Sequence, residues 1–81
     1  MLSIVVPTLN ESKSGWLSKI LQAYQGIQDC EIICVDGGSQ DDTCEIVQQF
    51  NARLIKTDIA SRAGRLNEGI KQSYYPLILL H

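Results

Sequence analysis

Asp36 closes an otherwise apolar run, Glu31-Ile-Ile-Cys-Val-Asp36, and is followed by Gly37-Gly38-Ser39-Gln40-Asp41-Asp42-Thr43. A carboxylate at the carboxyl end of a buried strand, ahead of a two-glycine turn and a capped helix, stands where open α/β sheets bind ligands. Once ionised it can accept hydrogen bonds from a nucleobase N–H or from ribose hydroxyls. It can equally cap the next helix or order the Gly-Gly turn. Glu11, one turn past the first strand, can meet a ribose or brace its own loop. Arg62 and Arg65 fall in the first turn of a helix, where the positive end of the dipole disfavours cations unless an anion is near. A diphosphate is one such anion; a salt bridge to Asp58 or Glu68 is the alternative for Arg62. Asn67 breaks an apolar rhythm and suits a ligand contact or a polar helix face. Asp41 and Asp42 read as capping and dipole residues.

Other chemistries lack their residues. There is no Ser/His/Asp combination and no His or Cys cluster at metal-ligand spacing, and the lone His81 ends the chain. The three cysteines, Cys30, Cys34 and Cys44, fit neither a disulfide frame nor a zinc pair and read as reduced, structural thiols. The loop after the first strand, Pro7-Thr-Leu-Asn-Glu-Ser12, contains no glycine. A Gly-x-Gly-x-x-Gly dinucleotide fingerprint is thereby excluded, and no P-loop pattern occurs either.

The elements that must position these groups follow from switches in hydrophobic period. Leu2 to Val6 is a near-continuous apolar run closed by Pro7, as expected of a strand buried on both faces of a parallel sheet. Trp16, Leu17, Ile20, Leu21 and Tyr24 recur at helical spacing, with Gly26 as terminator. Glu31 to Asp36 forms the second strand. Ser39 with Asp42 three residues on predicts the start of a second helix, with Ile46, Val47 and Phe50 toward the sheet and Asn51 at its end. Ala52 to Thr57 is a short, more polar third strand, nearer an edge. Ser61 caps a third helix whose Ala63, Leu66, Ile70 and Tyr74 lie three and four apart, and Gly69 there permits close packing on a strand. Pro76 introduces a fourth strand, Leu77 to Leu80. The order βαβαβαβ predicts a Rossmann-like three-layer α/β sandwich with a parallel sheet, most simply in the order 3-2-1-4. A ligand crevice then opens above strands 1, 2 and 4, where Thr8, Asn10, Glu11, Asp36, Gly37, Gly38 and His81 converge.

Eighty-one residues, 44% hydrophobic and 20% charged, make one small domain of marginal stability. A net charge of -2 supplies no basic footprint, so neither nucleic acid nor an anionic membrane is an expected partner. The first residues resemble neither a signal peptide nor a membrane span, which makes the cytoplasm the expected location. The chain stops on its most apolar strand. The expectation is therefore a fragment or truncated product, with pairing of a second copy along the strand 4 edge as an alternative to further chain.

Ile4-Val-Val-Pro-Thr-Leu-Asn-Glu11, Ile33-Cys-Val-Asp-Gly-Gly-Ser-Gln-Asp-Asp-Thr43 and Arg62-Ala-Gly-Arg-Leu-Asn-Glu-Gly69 together resemble the opening of a family 2 glycosyltransferase with the GT-A fold. The resemblance spans essentially the whole chain. It implies that residues 1–81 are the nucleotide-sugar-binding part of an incomplete glycosyltransferase domain, peripheral to a membrane if not free in the cytoplasm. It further implies a UDP- or GDP-linked donor, with Thr8, Glu11 and Asp36 on the nucleoside and Arg62, Ala63, Asn67 and Gly69 along the pocket. With the strand-end groups added, the candidate nucleotide-sugar site is Pro7, Thr8, Asn10, Glu11, Asp36, Gly38, Arg62, Arg65 and Asn67. Ser61 and Arg65 depart from the subgroup most resembled, which commonly has Gly and Gln there. The family's Mg²⁺ or Mn²⁺, held by an Asp-x-Asp motif after the fourth strand, has no ligands in this chain, and the expected general base is missing too. The rival reading is a non-catalytic module that self-associates through strand 4.

Overall fold

The computed structural model describes residues 2–75 and 77–80, with the side-chain surroundings of Leu77, Leu79 and Leu80 left aside. Pro76 and His81, to which the sequence assigns a strand start and a strand-end group, lie outside the described residues. The elements are β1 (Leu2–Thr8), α1 (Trp16–Gln25), β2 (Cys30–Asp36), α2 (Thr43–Gln49), β3 (Arg53–Lys56), α3 (Arg62–Gln72) and β4 (Leu77–Leu80). All described strand pairs are parallel, and the sheet runs β3-β2-β1-β4. No described helix is long and apolar enough to cross a membrane.

Alternation along β1 and β2 divides the core. Ile4, Val6, Ile32 and Cys34 meet Leu17 and Leu21 of α1 and Val47 of α2 on one face. Val5, Ile33 and Val35 meet Leu66 of α3 on the other. These strand residues are buried on both faces, which explains their unbroken apolar run.

Three expectations are corrected. First, β1 does not close at Pro7 but continues through it to Thr8. Thr8 O accepts Gly37 N at 3.0 Å on the β2 side, so the Pro7 nitrogen faces the other way. The described β1–β4 pairing runs from Leu2 to Val5, short of Pro7. Second, Ser39 does not cap α2. The helix starts at Thr43, and Asp41 Oδ1 accepts Thr43 N at 2.9 Å while Ser39 is engaged elsewhere. Third, the buried residues of α3 are Arg65 and Gly69; Ala63 is exposed, Ile70 is 36% exposed and Tyr74, beyond the helix end, 77% exposed. Gly69 lets the helix axis approach the sheet so closely that the line through 65, 66 and 69 turns inward and Ile70 moves to the flank. The Ser61 cap does form, accepting Gly64 N at 3.0 Å.

At the amino ends of the strands a polar knot fastens the chain between α3 and β4. Glu31 Oε2 accepts Ser3 Oγ at 2.7 Å and Tyr74 N at 2.8 Å, and Oε1 meets Arg53 Nη1 at 3.3 Å. Arg53 Nη1 also donates to Gln72 O at 2.6 Å, with the guanidinium 4.7 Å from the Tyr74 ring centroid. Glu31→Ala removes the acceptor that joins these groups and is expected to cost about 1–2 kcal/mol, since most of the donors can turn to water. A urea titration checks it; a loss under 0.5 kcal/mol, roughly that of an ordinary surface substitution, would contradict the knot's role.

Candidate functional site

The parallel register puts Thr8 opposite Asp36 at the carboxyl edge of the sheet. Both are buried, at 0% and 1% exposure, and Thr8 Oγ1 donates to Asp36 Oδ1 at 2.8 Å. Ser39 Oγ makes a short hydrogen bond to the same oxygen. Oδ2 accepts Gly38 N at 3.0 Å and Ser39 N at 2.7 Å. Burial by itself pushes this carboxyl up, but the hydrogen bonds, led by those of Ser39, outweigh it and hold Asp36 below the ordinary carboxylate range. Four donors on two oxygens fill the lone pairs of an ionised carboxylate. Of the two roles open from sequence, ordering the Gly-Gly turn is the one the geometry displays. Gly38, at φ 104°, supplies the backbone conformation that lets Asp36 reach around it.

The loop after β1 is laced to the loop after β2. Asn10 N donates to Ser39 Oγ at 2.8 Å, and Gln40 N donates back to Asn10 Oδ1 at 2.9 Å. Glu11 N donates to Thr43 Oγ1 at 2.8 Å. Ser12 reaches Asp41 Oδ2 through its N–H at 3.2 Å and its hydroxyl at 2.7 Å. The Thr43 hydroxyl, ahead of Ser12, holds the Asp41 carboxyl well below the usual range. Asn10, at φ 53°, takes the left-handed conformation tolerated by asparagine. Glu11 Oε2 accepts Trp16 Nε1 at 2.8 Å, so one of its oxygens braces α1.

Pro7, Thr8, Asn10, Glu11, Asp36 and Gly38 are therefore brought together in one laced edge. Arg65 comes to the same edge from the α3 side, its guanidinium against Gly37. Arg62 and Asn67 lie exposed on α3. Ser12, Ser39, Asp41 and Thr43 were missed as site-forming residues; the signal available was their shared type, short polar side chains that bind backbone N–H groups. A shallow cavity of about 510 Å³ opens beside the laced loops, lined by Ser12, Lys13, Asp41, Asp42 and Glu45 among others. Three acids against one lysine disfavour an anion there.

Among the described residues no group of three or more His, Cys, Asp or Glu side chains could hold a metal ion. Asp36 and Asp41 have their oxygens committed to the loops. The described residues offer no set that fits a divalent cation. All three cysteines are free thiols; burial, then the charges of Asp36 and Cys44, pushes Cys34 up to about 12, which makes it an inert core residue.

Known proteins share this sequence pattern and this fold. Poly-beta-1,6-N-acetyl-D-glucosamine synthase of Staphylococcus epidermidis is 31% identical over 85 residues, covering 96% of this chain and 20% of that protein. TagX of Staphylococcus aureus strain MRSA252, named as a glycosyltransferase, is 28% identical over 76 residues, covering 88% of this chain and 21% of its own length. The chain thus spans about a fifth of the length of these curated relatives. Crystal structures of S. aureus TarS 1–349, alone and in complex with UDP-GlcNAc, each superpose with a TM-score of 0.81 at 24% identity. They cover 99% and 98% of this chain and 26% and 25% of TarS 1–349, and at that identity they speak for the fold. The family model described as glycosyl transferase family 2 runs over residues 3–81, and the chain belongs to that family.

Proposed function

We propose that residues 1–81 form the nucleotide-sugar-binding part of a GT-A glycosyltransferase, and that the donor lies across the laced carboxyl edge of β1 and β2. The observation that carries this reading is the lacing itself. Two loops from adjacent strands are cross-bonded into one preformed surface at the sheet edge where α/β folds take their ligands. Family membership supplies the chemical class, and the TarS complex with UDP-GlcNAc supports a uridine-linked donor.

In this reading Thr8, Asp36 and Gly38 set the shape of the edge, and Pro7 carries β1 on to Thr8. Asn10 and Glu11 keep polar atoms for the nucleoside, the Asn10 amide N–H₂ and the second Glu11 oxygen. Arg62, Arg65 and Asn67 face the donor from α3. The divalent ion and the acceptor belong to the activity of the whole enzyme. Residues 1–81 bind and orient, and the bond change itself needs groups they do not supply.

Calorimetric titration of the chain with UDP, GDP and their sugar conjugates tests the proposal. A uridine nucleotide is expected to bind, with its sugar conjugate at least as tight. A folded chain that binds none of these nucleotides would overturn the reading, and a mass that rises with concentration in that same sample would favour the self-associating module.

A further inference from the structure

We propose that Arg65 is the anion-receiving residue of this edge, holding a phosphate group of the bound nucleotide beside Gly37. The proposal rests on the donor-site reading above and adds to it the residue and the group it holds.

Gly37 is the first clue. Among the described residues the glycines at positive φ are Gly15 and Gly38, so the backbone does not require glycine at 37. Arg65 does. A Cβ built on Gly37 would lie 3.0 Å from Arg65 Nη1, 3.1 Å from its Cδ and 3.3 Å from Ile59 O. Absence of a side chain at 37 is what lets the guanidinium lie along the end of β2.

The second clue is the charge. Arg65 is only 7% exposed, and Nη1 donates to Ile59 O at 3.2 Å and Ala60 O at 2.6 Å. Nε is buried and has no partner. No described carboxylate forms an ion pair with Arg65. Asp36 cannot serve, because alternation along β2 sends it with Ile32 and Cys34 to the α1/α2 face while Arg65 approaches from α3. A guanidinium does not shed its proton to escape burial, so the structure holds a desolvated cation with backbone dipoles on Nη1 and nothing on Nε. A neutral base carbonyl would satisfy a donor but leave the charge. A phosphate oxygen satisfies both, and a planar guanidinium is the side chain best matched to it.

The test uses the whole chain as wild type, Arg65→Gln, Arg65→Lys and Gly37→Ala, each first shown folded by circular dichroism. Each is titrated with inorganic pyrophosphate, UDP and uridine. Wild type is expected to bind pyrophosphate and UDP, more weakly as salt rises. Arg65→Gln should lose about tenfold or more in UDP affinity, the loss of a charge-assisted contact, with pyrophosphate binding abolished and uridine unchanged. Arg65→Lys should recover only part, and Gly37→Ala should follow Arg65→Gln. If the Arg65 variants fail to fold, the Nε–H resonance of Arg65 in ¹⁵N-labelled wild type must shift on adding pyrophosphate; no shift at saturation would overturn the proposal. UDP affinity within twofold of wild type in Arg65→Gln would overturn it and leave the donor-site reading intact. An equal loss for uridine would also overturn it, making Arg65 a reader of the base. Arg65-dependent pyrophosphate binding without any nucleotide binding would uphold the anion site and sink the donor reading.

Discussion

Asp36→Ala is expected to lower the unfolding free energy by about 4 kcal/mol, measured by chemical denaturation, because it strips the acceptor from four donors at once. Two are hydroxyls that can rotate, but the Gly38 and Ser39 N–H groups are fixed by the turn. A domain of this size has roughly 4–12 kcal/mol of stability in total, so the variant should be marginal or unfolded at 37 °C. Loss of nucleotide binding in such a variant would then reflect a collapsed loop. Asp36→Asn separates the two roles. Its carboxamide oxygen can accept both N–H groups while its NH₂ faces the Thr8 and Ser39 hydroxyls, which rotate to accept. That isostere should cost only about 1–2 kcal/mol. A loss below 1 kcal/mol in Asp36→Ala would refute the turn-ordering role.

The same carboxylate gives the fold an acid limb. Its pKa in the native state is lowered from an unfolded value near 3.9. Its contribution to stability is therefore complete above about pH 4 and is lost as pH falls through the native value. Denaturant midpoints should be flat from pH 7 to 5 and fall below pH 4. In Asp36→Asn the fall should be shallower.

The alternation of strands and helices was legible because strands buried on both faces read as unbroken apolar runs and the helices between them switch to a period near four. Less legible was which face of a helix turns inward when the helix carries a glycine. Ile70 looked like a core residue by spacing, yet Arg65 and Gly69 took the inner positions. The candidate site was legible as a set of residues at strand ends. Their roles were not, because each is decided by a partner about thirty positions away: Thr8 for Asp36, Ser39 for Asn10, Thr43 for Glu11. Ser39 shows the difficulty most directly. Local spacing made it a helix cap; in the fold its hydroxyl donates within the turn to Asp36 and accepts Asn10 N from the other loop.

Gly69→Ala puts these two levels of reasoning in direct opposition. In an exposed helix the change would stabilise by about 1 kcal/mol through helix propensity. Here the new Cβ would stand 2.3 Å from Val5 Cγ1 and 3.2 Å from Val35 Cγ2. Those carbons belong to central strands held on both sides by neighbours, so relief must come from lifting α3 off the sheet. Lifting it loosens Leu66 from Val5, Ile33 and Val35 and draws Arg65 away from Gly37. Overpacking of this kind costs about 3 kcal/mol or more, which exceeds the propensity gain and leaves a net loss near 2 kcal/mol. Gly69→Val adds two further carbons to the same gap and gains less propensity, so a loss of about 4 kcal/mol or outright unfolding is expected. The measurement is again a denaturant titration of each variant. A Gly69→Ala protein more stable than wild type would show that α3 stands farther from β1 than this packing has it, and would also loosen the case for Arg65 pressed against Gly37.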